Sequence, residues 1–249
     1  MKIKSVFLLL IPFLLSCTKD YNPYYEEPPE QGTQRVVLFE LFVATWCHNC
    51  PVAIEAAYEL LAENGSDKVN VLVYHPTDRD TFGTDETDYR IIDYYKEGKV
   101  YPVCFADGII KNYGGDDGTY DKYKEAFNTR TRILSPFKIT VSGSINEKSI
   151  TANINTVDNP PSASLKVRFL LVESMITYDH QGDLLTENYM VRDILEEESI
   201  NASKGATFNI NRKFNIDGRW KPDNMGIIVL IQDDSNKEII QSSYSGGIY

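Results

Sequence analysis

Two rhythms of apolar residues divide this chain. In the first, short unbroken apolar runs alternate with helix-forming stretches. Val36-Val37-Leu38-Phe39-Glu40-Leu41-Phe42 is rich in β-branched and aromatic residues and predicts a buried strand. Val52 to Leu61 is a run of good helix formers that stops near Asn64-Gly65. Val69 to His75 predicts a second buried strand, followed by a polar loop through Pro76 and Gly83 and a helix from about Asp85 to Lys96. Tyr101 to Phe105 and Ile109 to Lys111 read as two strands joined by a turn at Asp107-Gly108. Thr119 is placed to cap a last helix holding Tyr120, Tyr123, Ala126 and Phe127.

The second rhythm begins at Ser135-Pro136, where the helical pattern ends. Phe137–Ser144 and Ser149–Asn155 flank Asn146-Glu147-Lys148 as a hairpin. Further strands are expected over Leu165–Glu173, Tyr189–Leu195, Thr207–Phe214, Gly226–Gln232 and Glu238–Ser243. Short strands separated by turn residues predict an antiparallel β-sandwich. The expected architecture is thus an α/β domain over 34–134 followed by an all-β sandwich domain over 135–249.

The N-terminus follows neither rhythm. Lys2 and Lys4 precede an apolar run from Val6 to Leu15, too short to span a bilayer. Leu14-Leu15-Ser16-Cys17 resembles the lipobox of bacterial lipoproteins. That resemblance implies a signal peptide over 1–16 and a lipid on Cys17; an ordinary secretory signal cleaved nearby is the alternative. Several acyl chains on one residue would hold the protein stably at a membrane. Residues 17–33 carry prolines and charges without apolar periodicity and read as a disordered tether, which as a flexible coil spans roughly 20–25 Å.

Composition narrows the function. A hydrophobic share of 42% with 24% charged residues suits a globular protein with a true core. The formal net charge of −11, without a basic cluster, excludes nucleic acid as an expected partner. Of four cysteines, Cys17 is assigned to the anchor and Cys104 has no mate, so Cys47 and Cys50 are no part of a disulfide framework.

Cys47-His48-Asn49-Cys50-Pro51 lies where the first strand ends and the first helix begins. Unpaired backbone N–H groups and the helix dipole favour an anion there, and a thiolate is one. Cys47 is expected at or beside the N-cap, exposed and nucleophilic; Cys50, one turn in, would resolve a mixed disulfide. An imidazolium at His48 would favour the Cys47 thiolate, although a merely solvated histidine fits the same position. Asn49 completes the dipeptide that tunes the pair, and Trp46 stands beside the nucleophile as a shield or a substrate contact. An inert structural disulfide is the competing reading. With no second CxxC and no nearby histidine pair, zinc would lack ligands, so neither metal nor cofactor is expected.

The element order, with Trp46-Cys47-His48-Asn49-Cys50 at its junction and Tyr101-Pro102 opening a later strand, resembles the thioredoxin fold over 34–134. The resemblance implies thiol–disulfide oxidoreductase chemistry on cysteine-containing envelope proteins. It also implies that Pro102 is cis and packs by the disulfide, and that the Tyr101 backbone holds substrate. The chain departs from that family in two places. The buried acid six residues before the first cysteine is Leu41 here, with Glu40 facing the other way, and the proline follows Cys50.

The two halves together are similar to a family of Gram-negative outer-membrane lipoproteins. Phe39-Glu40-Leu41-Phe42, Tyr189-Met190-Val191-Arg192, Val229 to Asp234 and Lys237-Glu238 carry that likeness. Where that family tends to place histidines before the Val-Arg pair, this chain has Glu187-Asn188-Tyr189. Three further groups carry two readings each, the plain one favoured: His75 as an incidental loop residue or as one on the sheet edge that also bears the CxxC, Cys104 as a buried filler or a third redox partner, and Asp233-Asp234-Ser235-Asn236 as a hairpin turn or a set of oxygens suited to calcium.

Overall fold

The computed structural model of the chain describes residues 32–246, so the expected signal peptide, Cys17 and nearly all of the tether lie outside the described residues. Strand β1 (Val37–Phe42), helix α1 (Cys50–Asn64) and strand β2 (Val69–Tyr74) form a parallel unit, with Val37 opposite Val69 and Phe42 opposite Tyr74. Both strands are buried along their whole length, which is why their sequences are continuous apolar runs. In α1 the buried positions Cys50, Ala53, Ile54, Ala57 and Leu60 recur at three- and four-residue steps and give the helix one apolar face. Pro51 suits its first turn, where no N–H partner is needed.

A short helix α2 (Asp85–Asp88) starts on a reciprocal Thr84–Thr87 cap and continues as a π-helix over Tyr89–Tyr94. Strands β3 (Val103–Ala106) and β4 (Ile110–Tyr113) form the expected hairpin, and helix α3 (Thr119–Arg130) returns over α1. The cap of α3 differs from expectation. Gly118 occupies the N-cap, and the Thr119 hydroxyl accepts instead from the N–H groups of Gly115 and Asp116 at 2.9 and 3.1 Å.

The second half contributes β5 (Phe137–Ser144), β6 (Ser149–Thr156), β7 (Leu165–Glu173), β8 (Ile176–His180), β9 (Asp183–Glu187), β10 (Met190–Ile194), β11 (Glu198–Ile200), β12 (Thr207–Lys213), β13 (Met225–Asp233) and β14 (Ile239–Gly246). The expected strands are present; β8, β9 and β11 were not expected. These strands do not close into a sandwich of their own. β10 pairs in parallel with β2 at Met190 and Val73, so that β14-β13-β7-β10-β2-β1-β3-β4 is one continuous sheet, with β11 on β7. The second layer is the three-stranded sheet β12-β6-β5.

This sharing explains which residues alternate. In β7, Val167, Phe169 and Leu171 face the three-stranded sheet, whereas Leu170 and Val172 join the core beneath the π-helix. In β13, Ile227, Val229 and Ile231 face one way, Ile228 and Leu230 the other. β5 and β12 are covered on one face only and alternate between sheltered and exposed positions. The core under the π-helix runs from Leu38 and Phe42 through Leu72 and Ile91 to Val191, Ile228 and Ile239, and so belongs to both halves.

Two buried ionic networks sew the halves together. Glu40 does face away from Leu41, as the strand period requires, and receives Arg90 through two bonds of 2.9 and 3.0 Å. The Tyr74 and Tyr95 hydroxyls also donate to Glu40, and Arg90 continues to Gln232 on β13 at 3.0 Å. Toward the start of β1, Asp107 binds Arg35 at 3.2 Å, Arg130 at 2.8 Å and the Leu38 N–H at 2.9 Å, and Arg35 crosses to the second half by donating to the Ile239 carbonyl at 2.7 Å. Asp233 and Asp234 sit in the β13–β14 turn, where Asp233 accepts from Ser235 and Asp234 pairs with Arg168 at 2.8 Å. Among the described residues no helix is long and apolar enough to cross a membrane.

Candidate functional site

The segment between β1 and α1 is a tight turn. The Cys47 N–H donates to the Ala44 carbonyl at 3.0 Å and the Cys50 N–H to the Cys47 carbonyl at 3.1 Å. Cys47 and Cys50 form a disulfide with Cα atoms 5.4 Å apart. Asn49 is the N-cap, so Cys50 is the first helical residue and Cys47 lies two residues before the cap. The expectation of an exposed Cys47 is corrected here: its exposure is 7%, against 1% for Cys50. Cys47 belongs to the same apolar core cluster as Val43, Ala44, Cys50 and Ile54.

Tyr101-Pro102 is a cis peptide bond. The Tyr101 ring meets Trp46 edge-on at 5.9 Å, and Pro102 is buried. Burial pushes the Tyr101 phenol up from its ordinary range, with Asp88, Asp78 and Asp80 adding to the effect. Gly115 is wedged between Asn49 and Pro102. A Cβ at Gly115 would stand 2.7 Å from the Asn49 Cβ and 3.3 Å from the Pro102 Cγ. One glycine therefore lets the CxxC turn and the proline loop approach each other.

Trp46 keeps 37% exposure and is held from one side. Its indole N–H donates to the Asp78 carbonyl at 3.0 Å, and the Arg79 guanidinium lies 4.4 Å from its ring centre. From the other side comes the tip of the β8–β9 hairpin. Gln181 lies 3.3 Å from the His48 Nδ1 through its Oε1, and donates to the Trp46 carbonyl at 3.4 Å. The site is thus a disulfide turn gripped by the loop after β2 and by a hairpin from the second half of the chain.

Behind these two grips sits His75, 1% exposed. Its Nδ1 meets Asp80 Oδ2 at 2.7 Å and its Nε2 meets Glu187 Oε1 at 2.7 Å. Burial alone would disfavour the cation, but the Glu187 and Asp80 carboxylates outweigh it and push the imidazole up to about 9. Asp80 is held below its ordinary range: burial opposes its charge, and the hydrogen bonds from His75, Thr45 and Phe82 overcome it. His75 is therefore no incidental loop residue.

Cys104 is buried in the core that also holds Cys47 and Cys50. Burial pushes its thiol far up, which suits the expected filler. Cys17 lies outside the described residues. Among the described residues no cluster of three or more histidine, cysteine or acidic side chains could hold a metal ion.

The residues that the sequence reading missed come from far along the chain. Asp80, Gly115, Gln181 and Glu187 reach the site only through tertiary contacts. Gln181-Gly182 between Ile176–His180 and Asp183–Glu187 is a turn signal that could have revealed the hairpin. Nothing local marks Glu187 as a partner of His75.

No family model matches the chain, and no match was found among the curated proteins. Solved structures do match. HBP35 of Porphyromonas gingivalis aligns with a TM-score of 0.71 at 15% identity, over 87% of this chain and 76% of that one. A structural-genomics target from Agrobacterium tumefaciens aligns with a TM-score of 0.57 at 17% identity, over 87% of this chain and 97% of that one. At these identities the likeness is one of fold. A domain of the outer-membrane lipoprotein Omp28 from P. gingivalis aligns with a TM-score of only 0.30 at 8% identity, over 46% of this chain and 89% of that one.

Proposed function

We propose that the protein is a thioredoxin-like thiol–disulfide oxidoreductase of the bacterial cell envelope, tethered to the membrane, most simply the outer membrane, through a lipid on Cys17. The observation that carries this reading is the Cys47–Cys50 disulfide at the start of α1, with the cis Tyr101-Pro102 bond beside it across Gly115. The lipobox-like Leu14-Leu15-Ser16-Cys17 and the polar tether support the location.

The chemistry follows from position. A substrate thiolate attacks the Cys47 sulfur, the Cys47–Cys50 bond breaks and Cys50 leaves as a thiolate. A second substrate thiolate then attacks the substrate sulfur of the mixed disulfide. The substrate is released as a disulfide and the pair is left as a dithiol. Run in reverse, the Cys47 thiolate attacks a substrate disulfide and Cys50 displaces the product dithiol. The N-terminus of α1 stabilises whichever sulfur carries the negative charge. Trp46 and Tyr101 flank the sulfurs and receive the incoming chain; His48 and Asn49 tune the pair. Partners are exported proteins with cysteines.

The test is trapping. With Cys50 replaced by serine and Cys47 retained, mixed disulfides with envelope proteins are expected on nonreducing gels and vanish when Cys47 is also replaced. The burial of both cysteines favours a second reading, a surface lipoprotein with a binding or structural role and a static disulfide. Redox titration separates the two, since structural disulfides lie below about −300 mV and catalytic ones higher.

A further inference from the structure

Three groups from different parts of the chain converge on one ring. Asp80 follows β2, Glu187 ends β9, and His75 holds both at 2.7 Å from its two nitrogens. Each carboxylate has a second bond. Asp80 Oδ2 also accepts from the Thr45 N–H at 2.8 Å, and Glu187 Oε2 accepts from the Tyr178 hydroxyl at 2.9 Å. Thr45 directly precedes Trp46 and Cys47. The Asp80 loop also carries Asp78 and Arg79, which hold the Trp46 indole. The Glu187 hairpin also carries Gln181, which reaches His48 and the Trp46 carbonyl.

We propose that His75 is a positioning residue for the Cys47–Cys50 site: its imidazolium ties the loop after β2 to the β8–β9 hairpin, and the two together hold Thr45, Trp46 and His48 around the disulfide. This rests on reading Cys47–Cys50 as a working thiol–disulfide pair. A neutral imidazole has one N–H and can donate to one carboxylate only; the other bond then becomes a contact between a lone pair and a carboxylate. Loss of the second proton therefore releases one grip. Asp80 and Glu187 flank the ring, and burial keeps Tyr178 on β8 and Tyr58 on α1 neutral. His180 on β8 lies one ring further out, edge-on to Tyr178, which itself packs edge-on to His75. Arg192 on β10 lies over Phe82, which packs on the ring, and is paired with Glu173 at 2.8 Å. The imidazole, raised to about 9, holds its proton at neutral pH and loses it as pH rises through that value.

The experiment measures how fast a water-soluble phosphine reduces Cys47–Cys50 in the folded protein. The phosphine reacts through its unprotonated phosphorus, so its own pH slope is measured on an unstructured disulfide and divided out, and it reduces an accessible disulfide whether or not that disulfide exchanges with proteins. The assay thus stands apart from the trapping test of the oxidoreductase reading. The wild-type rate is expected to rise at least threefold as pH passes about 9. His75→Gln should be at least threefold faster than wild type at pH 8 and show no such rise. Asp107→Asn, which removes a buried charge at the far end of β1, should keep the wild-type profile. A flat wild-type profile up to pH 10, or the same rise in His75→Gln, overturns the proposal. If His75→Gln fails to fold, the wild-type profile decides. Loss of near-ultraviolet circular dichroism in step with the rise would make His75 a pin of the whole fold and overturn its local role.

Discussion

Gly115→Ala tests whether the close approach of the CxxC turn and the proline loop depends on a missing side chain. Two costs add. Gly115 has φ +94°, where an L-residue is disfavoured by about 1–2 kcal/mol. The new methyl would stand 2.7 Å from the Asn49 Cβ, 3.0 Å from the Asn49 carbonyl oxygen and 3.3 Å from the Pro102 Cγ. None of these is the end of a flexible side chain, so the turn itself must shift, at about 1–3 kcal/mol for overpacking. The sum is about 2–5 kcal/mol. Gly205→Ala supplies the reference: φ is +86°, with nothing within 4 Å of the added carbon, so only the conformational cost of about 1–2 kcal/mol applies. Urea unfolding of both variants and of wild type, compared at equal m-value, gives the difference. The alanine at 115 should also change the rate at which the reduced cysteines are alkylated, because Asn49 lies between them. Equal destabilisation by the two substitutions, with alkylation unchanged, would refute the wedge.

Arg90→Met should cost about 3–5 kcal/mol, because it leaves the Glu40 carboxylate buried without its partner; pairing it with Glu40→Leu should restore much of the loss in a urea titration. His75 gives stability a pH dependence of definite sign. A raised folded value means its contribution is complete below about 6.5 and is lost as pH rises through about 9, so denaturation midpoints should fall between pH 7 and 10, and less so in His75→Gln. Cys104 should resist iodoacetamide at pH 8 in the folded, reduced protein while Cys47 is modified, as peptide mass mapping would show. Gln181→Ala removes only exposed hydrogen bonds, so it should leave thermal stability within about 1 kcal/mol and change the yield of trapped mixed disulfides.

The local pieces were legible in the order of residues alone. Continuous apolar runs marked β1 and β2, helix formers ending at Gly65 marked α1, and Asp107-Gly108 marked the β3–β4 turn. The position of Cys47 and Cys50 between strand and helix followed from those boundaries, and so did the outward turn of Glu40 from the helix face. The strand period and helix signals act over a few residues, so they are readable without a fold. That β10 joins β2, merging the larger strand layer of the second half with the α/β sheet, is a matter of long-range packing. Leu165–Glu173 and Gly226–Gln232 carried a hint in their unbroken apolar runs, the mark of strands covered on both faces, but a run cannot say what covers it. The site divided in the same way. Its sulfurs lie three residues apart, whereas the His75–Glu187 bond spans 112 residues and the Gln181–His48 contact 133. Pairings at such separations are fixed by how the layers pack and by the need to partner buried charges, and neither leaves a local pattern in the chain.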